Sequence, residues 1–197
     1  MAIDNYGKAA SSGAAFVIFT FLAGVVLFGL TGCGDRAVQD ATPSNQVREM
    51  RFRIDEDLVG PSVAIPELGI SLRPPMGWEP RTVPVQGDLP VDVLRLFVGD
   101  GPSYLLVGIL DSDESPQTVA ESLVAGENDE LTDFIHNGIH FYQIRRVTAE
   151  NISFSIVFDV TASDSTESGI LQFVIPTTDA EDRARTVESS FGSVESL

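Results

Sequence analysis

From Ala9 to Gly34 the chain carries no charged residue, and its densest apolar stretch, Ala14 to Leu30, stops just short of the only cysteine, Cys33. As a helix, those 17 residues reach about 26 Å, near the shortest length that crosses the hydrocarbon core of a bilayer. The segment therefore reads as a signal peptide or a membrane anchor rather than as part of the folded body. Ahead of it, Met1 to Lys8 sets Asp4 against Lys8, so the positive charge of this end comes mainly from the amino terminus. An uncleaved single span thus stays open beside cleavage, with the bulk of the chain outside the cytoplasm in both cases.

The four residues at the end of the apolar run bear on that choice. Leu30-Thr31-Gly32-Cys33 resembles the lipobox of bacterial lipoproteins, with a small residue directly before the sole thiol. The chemistry behind such a pattern is direct: small neighbours admit the backbone to a peptidase at the membrane surface, and the thiol carries a diacylglyceryl group. The resemblance implies that Cys33 becomes the new amino terminus and is acylated again, typically with palmitate, giving the several chains that stable anchoring needs. It also implies an envelope location, membrane-anchored and facing the periplasm or the exterior.

Cleavage before Cys33 leaves 165 residues with 11 arginines, no lysine and 28 acidic side chains, so the net charge stays at -17. Such acidity excludes nucleic acid as a partner, because phosphates would be repelled rather than neutralised. An arginine-only, acid-rich surface suits salty surroundings, where screening weakens the repulsion; a bias in genomic composition explains it equally well. A single cysteine provides no internal disulfide, so the fold rests on an ordinary core.

Three regions are expected: residues 1–32 as signal peptide or anchor, 33–58 as a flexible tether, and 59–197 as one domain. Within the tether, Arg48, Arg51 and Arg53 are followed by Asp55, Glu56 and Asp57, which reads either as a solvated edge or as a contact for lipid headgroups or a partner. Strands are expected at Gly69 to Arg73, Val91 to Val98 and Tyr104 to Leu110. Ser115-Pro116 starts a helix with Val119, Ala120, Leu123 and Val124 on one face and Gly126 as its stop. Ile152, Phe154, Ile156, Phe158 and Val160 alternate with mostly polar residues, and Leu171, Phe173 and Ile175 do so again after a polar hairpin, Ser163 to Gly169. Ala180, Ala184, Val187 and Phe191 then fall at helical spacing behind a Thr178/Glu181 capping-box pattern. The order predicts an α+β fold, a mostly antiparallel sheet covered by helices and preceded by the N-terminal apolar helix.

Two stretches carry a family resemblance. Gly69-Ile70-Ser71-Leu72-Arg73-Pro74-Pro75-Met76-Gly77-Trp78 is similar to the strand, proline and Gly-Trp turn of the PsbP-like superfamily. The ending, Gln172-Phe173-Val174-Ile175-Pro176 and then Arg185-Thr186-Val187-Glu188-Ser189-Ser190-Phe191, resembles that of the same family. The likeness implies a PsbP-like α/β/α sandwich over roughly 63–197. The family contains extrinsic photosystem proteins, a Ran-binding branch and many bacterial lipoproteins. It implies binding or accessory roles without a shared catalytic set, so no functional residue transfers.

The residues themselves offer little catalytic chemistry. His136 and His140 are four apart, the spacing of a metal pair on a helix. Asn137-Gly138 between them is a type I′ hairpin signal that instead places the two rings on opposite faces of a sheet. Asp111, Asp113 and Ser115 imitate the start of a calcium loop, but Ser122 stands where the closing glutamate belongs, and helix capping explains Ser115. Glu127, Asp129, Glu130 and Asp133 read as a solvated connection. Arg145 and Arg146, adjacent on a strand, face opposite ways, leaving one for a partner. Asn151-Ile152-Ser153 matches a glycosylation acceptor only formally. No nucleophile elbow, phosphate loop, dinucleotide fingerprint or zincin motif occurs. No metal, cofactor or catalytic residue is expected. The favoured reading is a membrane-tethered accessory module for an envelope or membrane protein complex; a small-ligand carrier or hydrolase, and a complex subunit held by an uncleaved helix, are the alternatives.

Overall fold

Period-two sequence becomes ladder. The alternating segments form β9 and β10 of a mixed, mostly antiparallel sheet whose strands are β1 (Arg48–Glu49), β4 (Glu79–Pro80), β5 (Val91–Val98), β6 (Tyr104–Leu110), β7 (Glu130–His136), β8 (Ile139–Val147), β9 (Asn151–Asp159) and β10 (Ser168–Pro176). Their spatial order is β1-β7-β8-β9-β10-β6-β5-β4. The computed structural model describes residues 47–82, 91–160 and 167–197. The apolar run, Leu30, Thr31, Gly32, Cys33 and the first part of the expected tether lie outside those residues, as does 163–166 of the polar hairpin. Among the described residues no helix is long and apolar enough to cross a membrane.

A second sheet of three short strands, ordered β11-β3-β2, joins β2 (Val63–Ile65), β3 (Ile70–Leu72) and β11 (Glu195–Ser196). It carries Ile65, Ile70 and Leu72 into the core. Gly69, at φ 68°, ends the 3-10 turn before β3 in the left-handed region, where glycine escapes a Cβ clash. Pro74 and Pro75 stop the strand as expected. Gly77 turns the chain at φ 79°, and Trp78 packs against the core and over Gly99, where a Cβ would come within 2.5 Å of the indole nitrogen.

Helix α2 (Ala180–Gly192) lies on one face of the large sheet and α1 (Pro116–Leu123) on the other. On the α2 face, Ile152, Ile156 and Phe158 of β9 join Leu171, Phe173 and Ile175 of β10, together with Phe134, Phe141, Val187 and Phe191. Burial of each such side chain contributes about 1.5–3 kcal/mol. The opposite face is buried too, because α1 sits there: Val157 is fully enclosed, opposite Ile170, beneath Val119 and Ala120. The alternation in β9, which by itself reads as one buried face and one solvated face, thus belongs to a strand covered on both sides, and the one-face reading is corrected.

Two helix boundaries and one helix face also differ from expectation. Helix α1 starts as anticipated, with Ser115 accepting from the Thr118 amide at 3.2 Å and Pro116 in the first turn. It ends in an extended Val124, 36% exposed, and Gly126 lies beyond it. Helix α2 is entered through a 3-10 turn, Thr177–Asp179, without a side-chain cap, so the capping box is not used. Ala184 is exposed, and Ser190 occupies the inner face instead, donating to the Arg73 carbonyl at 2.7 Å.

The larger correction concerns the tether. Within its expected extent to residue 58, the part from Val47 onward is built into the domain as a strap. β1 pairs parallel with β7, Arg48 opposite Phe134, and the Met50 amide donates to the Ile135 carbonyl at 2.8 Å. Phe52 then inserts edge-on among Phe134, His136 and Phe191, with ring centroids 5.0 to 5.8 Å apart. Gly192 makes room for it, since a Cβ there would lie 2.6 Å from the Phe52 Cβ. The Asp55 amide reaches the Ser189 hydroxyl at 3.2 Å, and Glu56 pairs with Arg73.

Candidate functional site

The two histidines are separated by a tight turn. Asn137 (φ 49°) and Gly138 (φ 79°) pair His136 with Ile139 and Ile135 with His140, so the rings emerge on opposite faces, as the sequence implied. His136 is buried under α2, with Nδ1 3.2 Å from the Met50 carbonyl and Nε2 3.2 Å from the Asn137 side-chain amide. A neutral ring protonated at Nδ1 satisfies both contacts, donating to the carbonyl and accepting from the amide. Nε2 also lies 3.0 Å from the Gly192 carbonyl, which the other tautomer reaches as a donor. The Asn137 amide donates to the Val194 carbonyl at 2.8 Å. This histidine ties the strap to the C-terminal end of the chain.

His140 belongs to a surface cluster that sequence spacing does not reveal. Its Nε2 lies 3.2 Å from an Asp133 carboxylate oxygen, and its Nδ1 lies 3.4 Å from the Tyr142 hydroxyl. Burial raises the Tyr142 pKa, and the charges of Asp133, Asp159 and Glu121 raise it further. A phenol held protonated in this way is a hydrogen-bond donor, not a nucleophile.

Beside α1 runs a polar row across the sheet. Tyr104 donates to the Gln172 carbonyl oxygen at 3.4 Å, and the Gln172 amide donates to Ser155 at 3.2 Å. Burial raises the Tyr104 pKa. The row leads to a cavity of about 50 Å³ next to Arg146, room for about one water. Arg146 grips Asp129 through Nε at 3.0 Å and Nη2 at 2.7 Å, and also donates to the Leu123 carbonyl at 2.9 Å. Asp129 further accepts the Ala125 amide at 2.9 Å. Those hydrogen bonds hold its carboxyl at a pKa of about 2 and raise that of Arg146. Asp129, expected in a solvated connection, is therefore an enclosed clasp with a side chain only 4% exposed. Arg145 points to the other face and approaches Glu130 at 3.7 Å.

Two larger clefts open at the β5 side of the sheet. One, of about 530 Å³, is lined by Asp92, Asp111, Asp113 and Glu167; it repels anions. The other, of about 430 Å³, presents Arg81 and Arg95 beside a β-bulge between Val93 and Arg95. Glu79 lies 3.3 Å from Arg81, and Glu67 lies 3.7 Å from Arg95. Among the described residues, no three His, Cys, Asp or Glu side chains converge as a metal site.

A large sheet sandwiched between α2 and α1, with a three-stranded annex, defines a sheet-rich α+β, PsbP-like fold. A solved structure with this likeness is the solution structure of cyanobacterial PsbP (CyanoP) from Synechocystis sp. PCC 6803, with a TM-score of 0.51 at 13% identity over 73% of this chain and 95% of that one. A crystal structure from Bacteroides thetaiotaomicron VPI-5482 aligns at a TM-score of 0.43 and 11% identity, over 70% of this chain and 48% of that one, and carries no argument. No family model matches the sequence, and no curated protein matches it.

Proposed function

We propose that the chain is an extracytoplasmic bacterial lipoprotein, lipidated at Cys33, whose PsbP-like domain serves as a non-catalytic accessory module beside a membrane protein complex. The observation that carries this reading is the single cysteine placed directly after Leu30-Thr31-Gly32 at the end of an uncharged run. The strap supports it, because it gives the chain arriving from Cys33 a firm attachment to the domain edge. Replacing Cys33 in the full chain tests it. Cys33→Ala is expected to leave the signal uncleaved and the chain without acyl mass; unchanged processing at residue 33 would refute the lipid anchor.

A second reading keeps residues 1–32 as an uncleaved span in a complex subunit, and the Asp4/Lys8 balance favours it. A third, a small-ligand carrier or hydrolase, draws on the cleft between Arg81 and Arg95, whose volume lies in the range of ligand sites. Thermal stabilisation of the chain by phosphate or simple carboxylates would favour that third reading.

A further inference from the structure

We infer that the strap edge of the domain is the face turned toward the bilayer, and that Arg48, Arg51 and Arg53 contact anionic phospholipid headgroups; this rests on the proposed membrane tether. All three arginines are exposed. Among the described residues Arg48 and Arg53 have no carboxylate partner. Arg51 meets only Glu49, at 3.6 Å with both side chains largely in solvent, a pairing of little strength.

The acids next along the chain are engaged elsewhere: Asp55 lies 3.5 Å from Arg185, and Glu56 pairs with Arg73. Asp57 is the remaining nearby carboxylate, and its contact is with no arginine. Elsewhere on the main sheet each arginine faces a carboxylate, Arg81 facing Glu79, Arg95 Glu67, Arg145 Glu130 and Arg146 Asp129, the last of these pairs being the close and enclosed one. Arg48 and Arg53, without a carboxylate partner among the described residues, and the loosely paired Arg51 thus lie together on one short segment of a chain whose net charge is -17.

Position and charge agree. Residues 34–46 separate Cys33 from the strap, so even fully extended they hold it within about 50 Å of the lipidated residue. An arginine near an anionic surface is drawn to it, and the field decays within a Debye length of about 10 Å. Turning the strap inward places the three cations inside that layer and keeps the acidic body outside it. Turning the cleft of Asp92, Asp111 and Asp113 inward would instead bring its carboxylates toward the headgroups. The effect sets orientation; anchoring is left to the lipid on Cys33.

The test uses the full chain purified from membranes, placed in nanodiscs of phosphatidylcholine with or without phosphatidylglycerol, and containing a gadolinium-chelating headgroup. Amide signals of residues 47–54 are expected to broaden several-fold more than those of the Gly99–Gly101 turn, which lies at the opposite end and side of the sheet. The contrast should require phosphatidylglycerol, fade at high salt, and vanish in the triple variant R48Q/R51Q/R53Q. That variant should keep a dispersed spectrum and its association with the discs. Equal broadening of both regions in the two lipids, or stronger broadening at the turn, overturns the inference while leaving the anchor intact. Failure of the wild-type chain to associate with any disc overturns both readings. Strap signals that respond only to a retained protein complex assign this edge to an acidic partner, against the inference.

Discussion

The two faces of the large sheet are built differently. Under α2, aromatic rings interlock: Phe52, Phe134, Phe141 and Phe191 pack together at centroid distances of 5.1 to 5.9 Å, and the one buried histidine serves to fasten backbone. Under α1, a smaller apolar cluster of Val119, Ala120, Ile144, Val157 and Ile170 is bordered by the Tyr104–Gln172–Ser155 row, the Asp133–His140–Tyr142 cluster and the Asp129–Arg146 clasp. The difference teaches that one face holds the fold together, while the other tolerates polar groups at its margin because a short helix covers only part of it.

Removing the ring at the centre of the α2 face should break this contrast most severely. Phe191→Ala is expected to cost about 3–5 kcal/mol and, because Phe52 packs on the same ring, to release the strap together with the helix. Chemical denaturation, with hydrogen exchange read at the Met50 amide, checks both effects; loss of stability with full protection of the strap would separate the two and contradict the shared core.

On the opposite face the expected damage is smaller and local. Ser115→Ala removes the cap of α1 and should cost about 1 kcal/mol. Hydrogen exchange is expected to quicken in Pro116–Leu123 while the α2 face stays protected. Global unfolding of comparable size in both helices would show that the faces are not independent.

The mildest probe is acid. Asp129 has its carboxyl pKa lowered from 3.8 to about 2. The stabilisation from its ionised form is thus fully present above pH about 4 and is lost as pH falls through the window down to about 2. In wild type, Arg146 should lose its clasp across that interval, read as a stability decline between pH 4 and 2 that Asp129→Asn makes shallower. Identical acid profiles for the two chains would remove the clasp from the account.

Local chemistry is well written into the sequence. The spans of β5 and β6, the Asn137-Gly138 register and the Ser115 cap all depend on neighbours along the chain, and they are found where periodicity and turn residues put them. The strap is legible too, but the tether reading misses it. Met50, Phe52 and Ile54 alternate with Arg51, Arg53 and Asp55, a strand-like pattern masked by the density of charge around it. Other features depend on distant partners. Val157 looks like one apolar residue among polar ones until α1 is laid over it. Asp129 is one acid in a cluster until β8 presents Arg146. The burial of Ser190 goes with its bond to the Arg73 carbonyl, which no helical periodicity reports.

The intact mass of the chain extracted from membranes tests the central proposal most directly. A polypeptide starting at residue 33, heavier than its sequence by a diacylglyceryl group and a further acyl chain, is the predicted result. A mass that includes residues 1–32 with an unmodified Cys33 would contradict it.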